Sequence, residues 1–423
     1  MADTRGKALS ILRKVCDDKA YSNIAIDEVL KGSTMDKRDK AFVTNMVYGV
    51  LTNRSFLDYQ ISAYSKIPIK KLSSPVINIL RLSIYQIHFM DRVPDSAAVN
   101  EGVTLAKRVA FKSAGFVNAV LRTLLKEGIR LPSETDTIYY LSILYSYPEW
   151  ILRMWFDFFD KTELEALLAA GNSVPPLTIR VNTTKISTEE LKERLGAIDG
   201  VCEGALNLVT RGSVVESEGF ADGLFTVQDA AAQMASLALD IKAGERILDM
   251  CAAPGGKTTH IAELTGPNGA VVAWDKYPHK IILIEKTATR LGLTNISAYV
   301  HNGCDIDTNH INGFDKVLLD APCSGLGIIR KKPDIKWSRS EEDILLLCEE
   351  QRKLLHAASL YVKPGGILVY STCTISDREN ERMIEDFLIR HDNYVLEGDA
   401  TTMLPHINNT DGFFICKLRR QAV

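Results

Sequence analysis

Two cysteines and one aspartate follow apolar segments in the second half of the chain. The apolar run 317–319 ends on Asp320, and a proline breaks the pattern just before Cys323. Another apolar run ends shortly before Cys373. Short apolar runs of this kind are typical of buried parallel strands, whose carboxyl ends border the ligand crevice of an open α/β sheet. If the two strands are neighbours, two thiols and a carboxylate meet at one edge of the sheet.

A glycine-rich turn follows an earlier predicted strand, 246–250, and opens a predicted helix. It consists of Cys251, Ala252, Ala253, Pro254, Gly255, Gly256 and Lys257. Asp275 ends the next predicted strand, 270–274. Glycines let a backbone approach an adenosine, and an acid at this place accepts hydrogen bonds from the ribose hydroxyls. Because the turn is not Gly-x-Gly-x-x-Gly, S-adenosylmethionine is favoured over a nicotinamide cofactor, and a turn that binds no nucleotide is the less favoured alternative.

These residue types together suit methylation at C5 of a pyrimidine, which is a poor nucleophile. A thiolate that adds to C6 makes C5 enamine-like, and a carboxylic group at the N3 edge stabilises the charge that develops. A base then removes the C5 proton, and elimination frees the thiol. The pyrimidine must be single-stranded or flipped out of its stack. One cysteine at a strand end is usually a packing residue, but two cysteines with an acid indicate catalysis by Asp320, Cys323 and Cys373.

The elements that must position these residues alternate between strands and helices over residues 226–423. This alternation predicts a Rossmann-like, doubly wound α/β domain with a parallel sheet. Its further strands are predicted at 297–300, 316–319 and 366–370.

The first 225 residues have a different pattern. Residues 1–140 have apolar residues at helical spacing throughout, which predicts an all-α bundle with its own core. Residues 141–225 mix both patterns and predict a small α+β domain, with a strand at 177–182 and a helix at 187–195. Residues 131–147 are predicted to be a connector.

Composition places the chain among soluble globular proteins, with 423 residues, 46% hydrophobic and 24% charged. No apolar run approaches the ~18 residues of a membrane span, and the first residues carry no secretory segment. The eight cysteines are scattered without a Cys-x-x-Cys pair, which indicates reduced thiols rather than zinc. We expect a cytoplasmic monomer that uses neither a metal nor a membrane.

Charge is unevenly distributed along the chain. Residues 1–140 hold 21 Lys and Arg against 14 Asp and Glu, whereas the remainder holds 29 against 39. A basic front domain favours a polyanion such as RNA as partner, although ordinary scatter is the simpler alternative. The candidate phosphate contacts are Arg38, Arg81, Arg108 and Arg122. A solvated helix face explains any one of these arginines equally well.

Five short fragments of the front domain resemble the NusB family of RNA-binding helical domains. They are Arg38-Asp39-Lys40-Ala41-Phe42, Val47-Tyr48-Gly49-Val50, Leu80-Arg81-Leu82-Ser83-Ile84-Tyr85-Gln86, Ala98-Val99-Asn100-Glu101 and Gly115-Phe116-Val117-Asn118-Ala119-Val120-Leu121-Arg122. Each fragment is weakly specific alone, but all five occur in order over about 85 residues.

The motifs of the second half resemble RNA 5-methylcytosine methyltransferases. They are Asp249-x-Cys-Ala-Ala-Pro-Gly-Gly-Lys257, Asp320-Ala-Pro-Cys-Ser-Gly325, Arg330-Lys331-Lys332-Pro333-Asp334-Ile335-Lys336-Trp337, Ser371-Thr-Cys-Thr374 with Glu379-Asn380, and Asp411-Gly412-Phe413-Phe414. With the NusB-like front, the chain resembles the RsmB (Sun/Fmu) family, which methylates cytosine 967 of 16S ribosomal RNA. The resemblance implies that Cys373 is the nucleophile and that Cys323 assists product release.

One departure from this family concerns the segment after the third strand. The family usually has Gly-Asp there, with the aspartate near the adenine, but here the chain reads Asn302-Gly303-Cys304-Asp305. Either a loop shift brings Asp305 to the cofactor, or Cys304 takes that place. Two other functions also remain open: the same chemistry on tRNA or another ribosomal RNA site, and an RNA-binding assembly or antitermination factor whose methylase half is inert.

Overall fold

The computed structural model describes residues 3–209 and 214–422. In chain order its helices are α1 Thr4–Cys16, α2 Ser22–Lys31, α3 Lys37–Thr52, α4 Arg54–Tyr64, α5 Ser74–Phe89, α6 Asp95–Val109, α7 Ala114–Glu127, α8 Thr137–Leu144, α9 Glu149–Phe156, α10 Lys161–Asn172, α11 Thr188–Leu195, α12 Ala230–Leu237, α13 Gly256–Thr265, α14 Pro278–Leu291, α15 Ile335–Ser338, α16 Glu341–Tyr361, α17 Glu381–Arg390 and α18 Pro405–Asn408.

The strands form two sheets. In chain order they are β1 Leu177–Val181, β2 Ile198–Asp199, β3 Ala205–Leu208, β4 Phe225–Val227, β5 Arg246–Asp249, β6 Ala270–Asp275, β7 Ile296–Val300, β8 Phe314–Asp320, β9 Val362–Thr372, β10 Tyr394–Leu396, β11 Thr401–Met403 and β12 Phe413–Arg420. The small sheet has the order β2-β3-β1-β4, and the large sheet has the order β10-β12-β9-β8-β5-β6-β7, with β11 beside β12.

The chain divides into two compact units, and the division is not colinear with the sequence. One unit comprises residues 1–173 and Ile329–Ser338, and the other comprises Val174–Ile328 and Arg339–Val423. The predicted domain limits at 140 and 225 stay a prediction.

The first unit is all-helical, as the apolar spacing predicts. Ala8, Ile11 and Leu12 recur on one face of α1 and are fully buried in a core shared by α1 to α7. The predicted connector is wrong in part, because α8 occupies residues 137–144. The Asp136 side chain accepts a hydrogen bond from the Tyr139 backbone N–H and thereby starts this helix.

The segment 329–338 belongs to this helical unit through buried polar contacts. Lys336 is fully buried and donates to the Thr52 carbonyl at 2.8 Å and to Asn172 Oδ1 at 3.0 Å. The Trp337 indole donates to the Leu51 carbonyl at 2.7 Å, and the buried Asp334 carboxylate accepts from the Ser22 hydroxyl. These contacts explain why a segment distant in sequence packs with α2 and α3.

The second unit contains the Rossmann-like sheet. Strands β5 to β9 are parallel, as predicted, and strand β9 runs from Val362 to Thr372, longer than the predicted 366–370. The all-parallel prediction is incomplete, because β12 pairs antiparallel with β9 and β10 pairs antiparallel with β12. Of the small sheet, the sequence pattern predicted only β1. The antiparallel partners of β1 are short and carry too few residues for a clear alternating signal.

Candidate active site

Strand pairing brings the predicted catalytic residues together. Strands β8 and β9 are parallel neighbours, and Asp320 lies opposite Ser371 in their register. The segments that follow these two strands carry Cys323 and Cys373 at the same edge of the sheet. The condition that the sequence left open, that these two strands be neighbours, is therefore met.

The two thiols are in contact. Cys323 Sγ lies 3.4 Å from Cys373 Sγ. The hydrogen bond to Cys373, together with burial, raises the pKa of Cys323 well above its ordinary value. The thiol form of Cys323 is therefore favoured, and it lies in contact with the sulfur of Cys373.

Each carboxylate oxygen of Asp320 accepts a hydrogen bond. Lys257 Nζ lies 2.7 Å from Asp320 Oδ2, and the Ser371 hydroxyl donates to Asp320 Oδ1 at 2.9 Å. Burial disfavours the charged form of Lys257, but Asp320 and, more weakly, Cys373 outweigh it and raise the pKa of Lys257. The Lys257 ammonium is thus stabilised by the Asp320 carboxylate and, to a lesser degree, by Cys373. The side chain of Asp320 stays 28% exposed, so one face of the carboxylate is accessible to a substrate.

A buried glutamate connects the two cysteine-bearing segments. Glu379 is fully buried and accepts from the Ser324 N–H at 2.8 Å, from the Ser324 hydroxyl and from Gln351 Nε2 at 3.0 Å. Because the Ser324 hydroxyl donates to Glu379, the Thr374 hydroxyl donates to Ser324 across their 2.6 Å contact. Ser324 and Thr374 each follow one of the cysteines. Sequence reasoning noted Glu379 as part of a motif but gave it no role.

The carboxyl-terminal motif closes the same site. Gly327 N–H donates to the Cys373 carbonyl at 3.0 Å, and Gly412 N–H donates to the Gly327 carbonyl at 2.8 Å. A Cβ atom at Gly327 would lie 1.9 Å from the Gly412 carbonyl oxygen, so this backbone crossing requires glycine. Phe413 follows, and Lys257 Nζ lies 5.0 Å from the centre of its ring.

The predicted cofactor loop lies between β5 and α13. Gly255 has a φ of +103°, and a Cβ there would lie 3.1 Å from the Ile284 Cα, so the turn requires glycine. Arg180, from the small sheet, donates to the Gly256 carbonyl at 2.6 Å and pairs with Glu263 on α13 at 2.8 Å. Arg180 therefore braces the loop, a role that the sequence pattern did not predict.

Polar groups at this loop fit a bound ligand. The Gln228 Nε2 and Asp249 Oδ1 atoms are buried, and neither has a hydrogen-bond partner among the described residues. Gln228 Nε2 lies 3.8 Å from where a Gly256 Cβ would be. Buried polar atoms without partners are costly, so a polar ligand such as an amino acid moiety would satisfy them.

Three further residues are predicted to contact the cofactor, namely Asp275 at the end of β6, and Asp305 or Cys304 after β7. Asp275 is buried, accepts from the Tyr277 N–H at 3.0 Å and lies 3.6 Å from Lys280 Nζ. Asp305 is exposed, and Asn302 Nδ2 donates to it at 3.1 Å. Cys304 is half-buried, and burial raises its pKa. Asp305 and Cys304 both stay predictions for the adenine contact.

The predicted RNA contacts divide into exposed and buried arginines. Arg38, Arg108 and Arg122 are exposed on the helical unit. Arg81 is only 4% exposed and donates to both oxygens of Asp58, at 2.6 and 2.7 Å. The prediction that Arg81 contacts a phosphate is therefore corrected, because its buried guanidinium forms an ion pair with Asp58. Helical spacing on α5 could not show whether Arg81 is paired in the interior or exposed to solvent.

The described residues hold no group of three or more His, Cys, Asp or Glu side chains placed to bind a metal ion. Of the helices in residues 3–209 and 214–422, none combines the length and the apolar character needed to cross a membrane.

The parallel strands β5 to β9, with a glycine-rich turn after β5 and contacting thiols after β8 and β9, define a Rossmann-like methyltransferase. Family models match three stretches: 16S rRNA methyltransferase RsmB/F over residues 236–419, the NusB family over 2–126, and an RsmF/B-like ferredoxin-like domain over 147–204. A Bacillus subtilis (strain 168) protein named "Probable ribosomal RNA small subunit methyltransferase B" is 36% identical over 99% of both chains. The chain belongs to the RsmB/F family of 16S ribosomal RNA methyltransferases.

Solved structures agree with this assignment. The crystal structure of PH0851 matches with a TM-score of 0.83 and 25% identity over 99% of both chains. NSun6 from Pyrococcus horikoshii, solved with SFG, matches with a TM-score of 0.60 and 25% identity, covering 66% of this chain and 99% of its own. The family membership implies S-adenosylmethionine as the methyl donor.

Proposed function

We propose that this chain transfers a methyl group from S-adenosylmethionine to C5 of a cytosine in 16S ribosomal RNA through a covalent bond between Cys373 and C6. The observation that carries the proposal is the 3.4 Å contact between the two thiols beside Asp320. Membership of the RsmB/F family supports the class of substrate, and the resemblance to the RsmB family indicates cytosine 967. The predicted monomeric state and cytoplasmic location are part of this proposal.

The cofactor site consists of the loop Cys251–Lys257, Asp275 and the buried groups of Gln228 and Asp249. When bound there, S-adenosylmethionine supplies an electrophilic methyl group. The glycines admit the ligand to the backbone, and the carboxylate of Asp275 accepts from the ribose hydroxyls. Either Asp305 or Cys304 contacts the adenine.

In the reaction, the Cys373 thiolate forms a bond to C6, and the electron pair of the C5–C6 double bond moves to C5. Asp320 contacts the polar edge of the ring and stabilises the charge that develops. C5 attacks the methyl carbon, and the electron pair of the sulfur–methyl bond leaves with the sulfur of S-adenosylhomocysteine. A base then removes the C5 proton. The electron pair of that C–H bond restores the double bond and expels the Cys373 thiolate. Cys323 assists this release, since its sulfur lies 3.4 Å from that of Cys373.

Bisulfite sequencing tests the proposal. Unmodified 16S ribosomal RNA, taken from a strain that lacks the enzyme, is incubated with the chain and S-adenosylmethionine, and transfer RNA is incubated in parallel. We expect one cytosine of the 16S ribosomal RNA to become resistant to deamination. Resistance only in transfer RNA would contradict the substrate, and no resistant cytosine in either RNA would contradict the chemistry.

A further inference from the structure

The helical unit carries a stretch in which every charged side chain is basic. Residues 102–126 contain the five cations Lys107, Arg108, Lys112, Arg122 and Lys126, and no Asp or Glu. The stretch runs from the second half of α6 through a 3-10 turn, Phe111–Ser113, into α7. All five cations are exposed. We call residues 102–126 the cationic hairpin.

A large aromatic side chain projects from the turn of the cationic hairpin. Phe111 is 78% exposed, although Phe116 on the same hairpin packs against the helical core. The neighbours of Phe111 along the chain include the exposed Arg108 and Lys112. Among the apolar side chains close to Phe111 in sequence, few are exposed, and the most exposed of them is Val109, at 44%. An isolated ring among cations suits a nucleic acid base better than an apolar protein surface, which requires a larger contiguous patch.

The exposed face of α7 carries small residues beside basic ones. Gly115, Ala119, Arg122 and Lys126 recur at helical spacing, and all are exposed. No atom lies within 4 Å of where a Cβ would be at Gly115. Asn118 Oδ1 accepts from Arg122 Nε at 3.0 Å, which orients the guanidinium. Small residues next to long cations leave room for a phosphate backbone to lie along the helix.

Two cations of the cationic hairpin are already paired, but only weakly. Lys126 Nζ lies 3.7 Å from Glu127 Oε1, and both side chains are exposed. Arg108 Nη2 lies 2.8 Å from Asp3 Oδ2, and both side chains are more than half exposed. Solvent-exposed pairs contribute little free energy. A phosphate can therefore replace Asp3 at small cost.

We propose that the cationic hairpin binds a single-stranded segment of RNA, with Phe111 stacked on an unpaired base and Lys112, Arg122 and Lys126 on the phosphates. This deepens the proposed function, because it assigns part of the RNA site to one surface of the helical unit. Stacking on an aromatic ring tolerates any base, and phosphate contacts are independent of sequence. The hairpin thus supplies affinity, whereas the choice of cytosine rests with the catalytic unit.

The test measures binding of the full-length chain to transcribed 16S ribosomal RNA by filter retention at several salt concentrations. Phe111→Ala is expected to weaken binding by about 5- to 150-fold, the range for loss of one stacked base. Phe111→Trp should retain affinity because the larger ring still stacks. Lys112→Ala and Arg122→Ala should each reduce the salt slope by about one.

The matched control is Phe158→Ala. Phe158 is 50% exposed and lies in the same helical unit, but Asp157 and Asp160 are its neighbours in the sequence. This substitution should leave RNA affinity unchanged. Equal affinities for wild type, Phe111→Ala and Phe158→Ala would overturn the hairpin proposal, as would equal losses in both alanine variants.

The outcome for the cationic hairpin can be separated from the outcome for the methylation reaction. If the wild-type chain methylates 16S ribosomal RNA but Phe111→Ala binds it normally, the hairpin proposal fails and the proposed function stands. If Phe111→Ala binds RNA weakly while the wild-type chain methylates no cytosine, the proposed function fails and the hairpin proposal stands. Circular dichroism of each variant confirms its fold, which an exposed side chain should not affect.

Discussion

Cys323 Sγ lies 3.4 Å from Cys373 Sγ, in the two segments that follow adjacent parallel strands. The hydrogen bond between the two thiols raises the pKa of Cys323, and burial raises it further. The thiol form of Cys323 is therefore favoured. This arrangement suits a reaction in which one thiol attacks and the other assists the departure of the first.

The first prediction separates the roles of these two thiols. Cys373→Ala should form neither covalent adduct nor methylated product, since it removes the attacking sulfur. Cys323→Ala should still attack and transfer methyl, but it should stall before release. The stalled species is a protein–RNA complex visible as a band shift on a denaturing gel. Adduct in Cys373→Ala and none in Cys323→Ala would assign the attack to the other thiol.

A second prediction concerns Glu379, which joins the segments after the two cysteines through Ser324. Glu379→Ala removes the acceptor of the buried Ser324 N–H and hydroxyl, at a cost of about 1–3 kcal/mol for each group. Gln351 Nε2 loses one of its two acceptors and keeps the Pro322 carbonyl. We expect slower adduct formation and a lower melting temperature, with unchanged affinity for S-adenosylmethionine. Stopped-flow or quench kinetics with 16S ribosomal RNA measure the first quantity.

Two further variants calibrate this effect. Glu379→Gln keeps one acceptor oxygen and should lie between wild type and Glu379→Ala. Glu385→Gln changes an exposed glutamate on α17 and should behave as wild type. Wild-type adduct kinetics in Glu379→Ala would show that the carboxylate does not position the thiols.

The third prediction tests the cofactor assignment. Asp275→Ala should weaken binding of S-adenosylmethionine by about 1–3 kcal/mol, because the ribose hydroxyls lose a buried acceptor. Isothermal titration calorimetry measures this loss directly. Asp399→Ala, at an exposed position of the same unit, serves as the control. Unchanged affinity in Asp275→Ala would refute the assignment.

A fourth prediction concerns the fully buried Lys336. Burial lowers the pKa of Lys336 well below its ordinary value, and its side-chain nitrogen donates hydrogen bonds to the Thr52 carbonyl and to Asn172 Oδ1. Lys336→Ala should destabilise the helical unit by about 1–3 kcal/mol for each acceptor left unsatisfied. Urea unfolding followed by circular dichroism measures the change. Lys332→Ala removes an exposed lysine of the same segment, and an equal loss in both variants would contradict the prediction.

The fifth prediction is a pH dependence that arises from Asp249. Burial raises the pKa of Asp249 to about 7 from its ordinary value of 3.8. Between these values the folded protein holds a proton that the unfolded chain releases. The stability from this group is therefore complete below about pH 4 and lost as the pH rises through about 7.

In Asp249→Asn the side chain is neutral at every pH, so the variant lacks this pH-dependent contribution to stability. The free energy of unfolding of the variant, minus that of wild type, should therefore grow from pH 4 to pH 7 by up to about 1.4 kcal/mol per pH unit. Urea titrations of both proteins at each pH provide the values. Parallel stability curves would show that Asp249 is ionised in the folded state.

The residues of the site could be predicted from the sequence because their signals are local. An apolar run that stops at an acid or a proline marks a strand end, and a glycine-rich turn between strand and helix marks a nucleotide loop. These signals located Asp320, Cys323, Cys373 and Asp275. The helical front domain was predictable for the same reason, since its apolar spacing is regular over many turns.

Only the tertiary structure decided how these residues act together. Contact between Cys323 and Cys373 depends on β8 pairing with β9 across 50 residues, and no local pattern specifies that pairing. The antiparallel strand β12, the brace formed by Glu379 and the burial of Arg81 against Asp58 likewise result from contacts between distant segments. Helix and strand periods report which face of an element is apolar. They do not report which polar side chains find partners once those faces are buried.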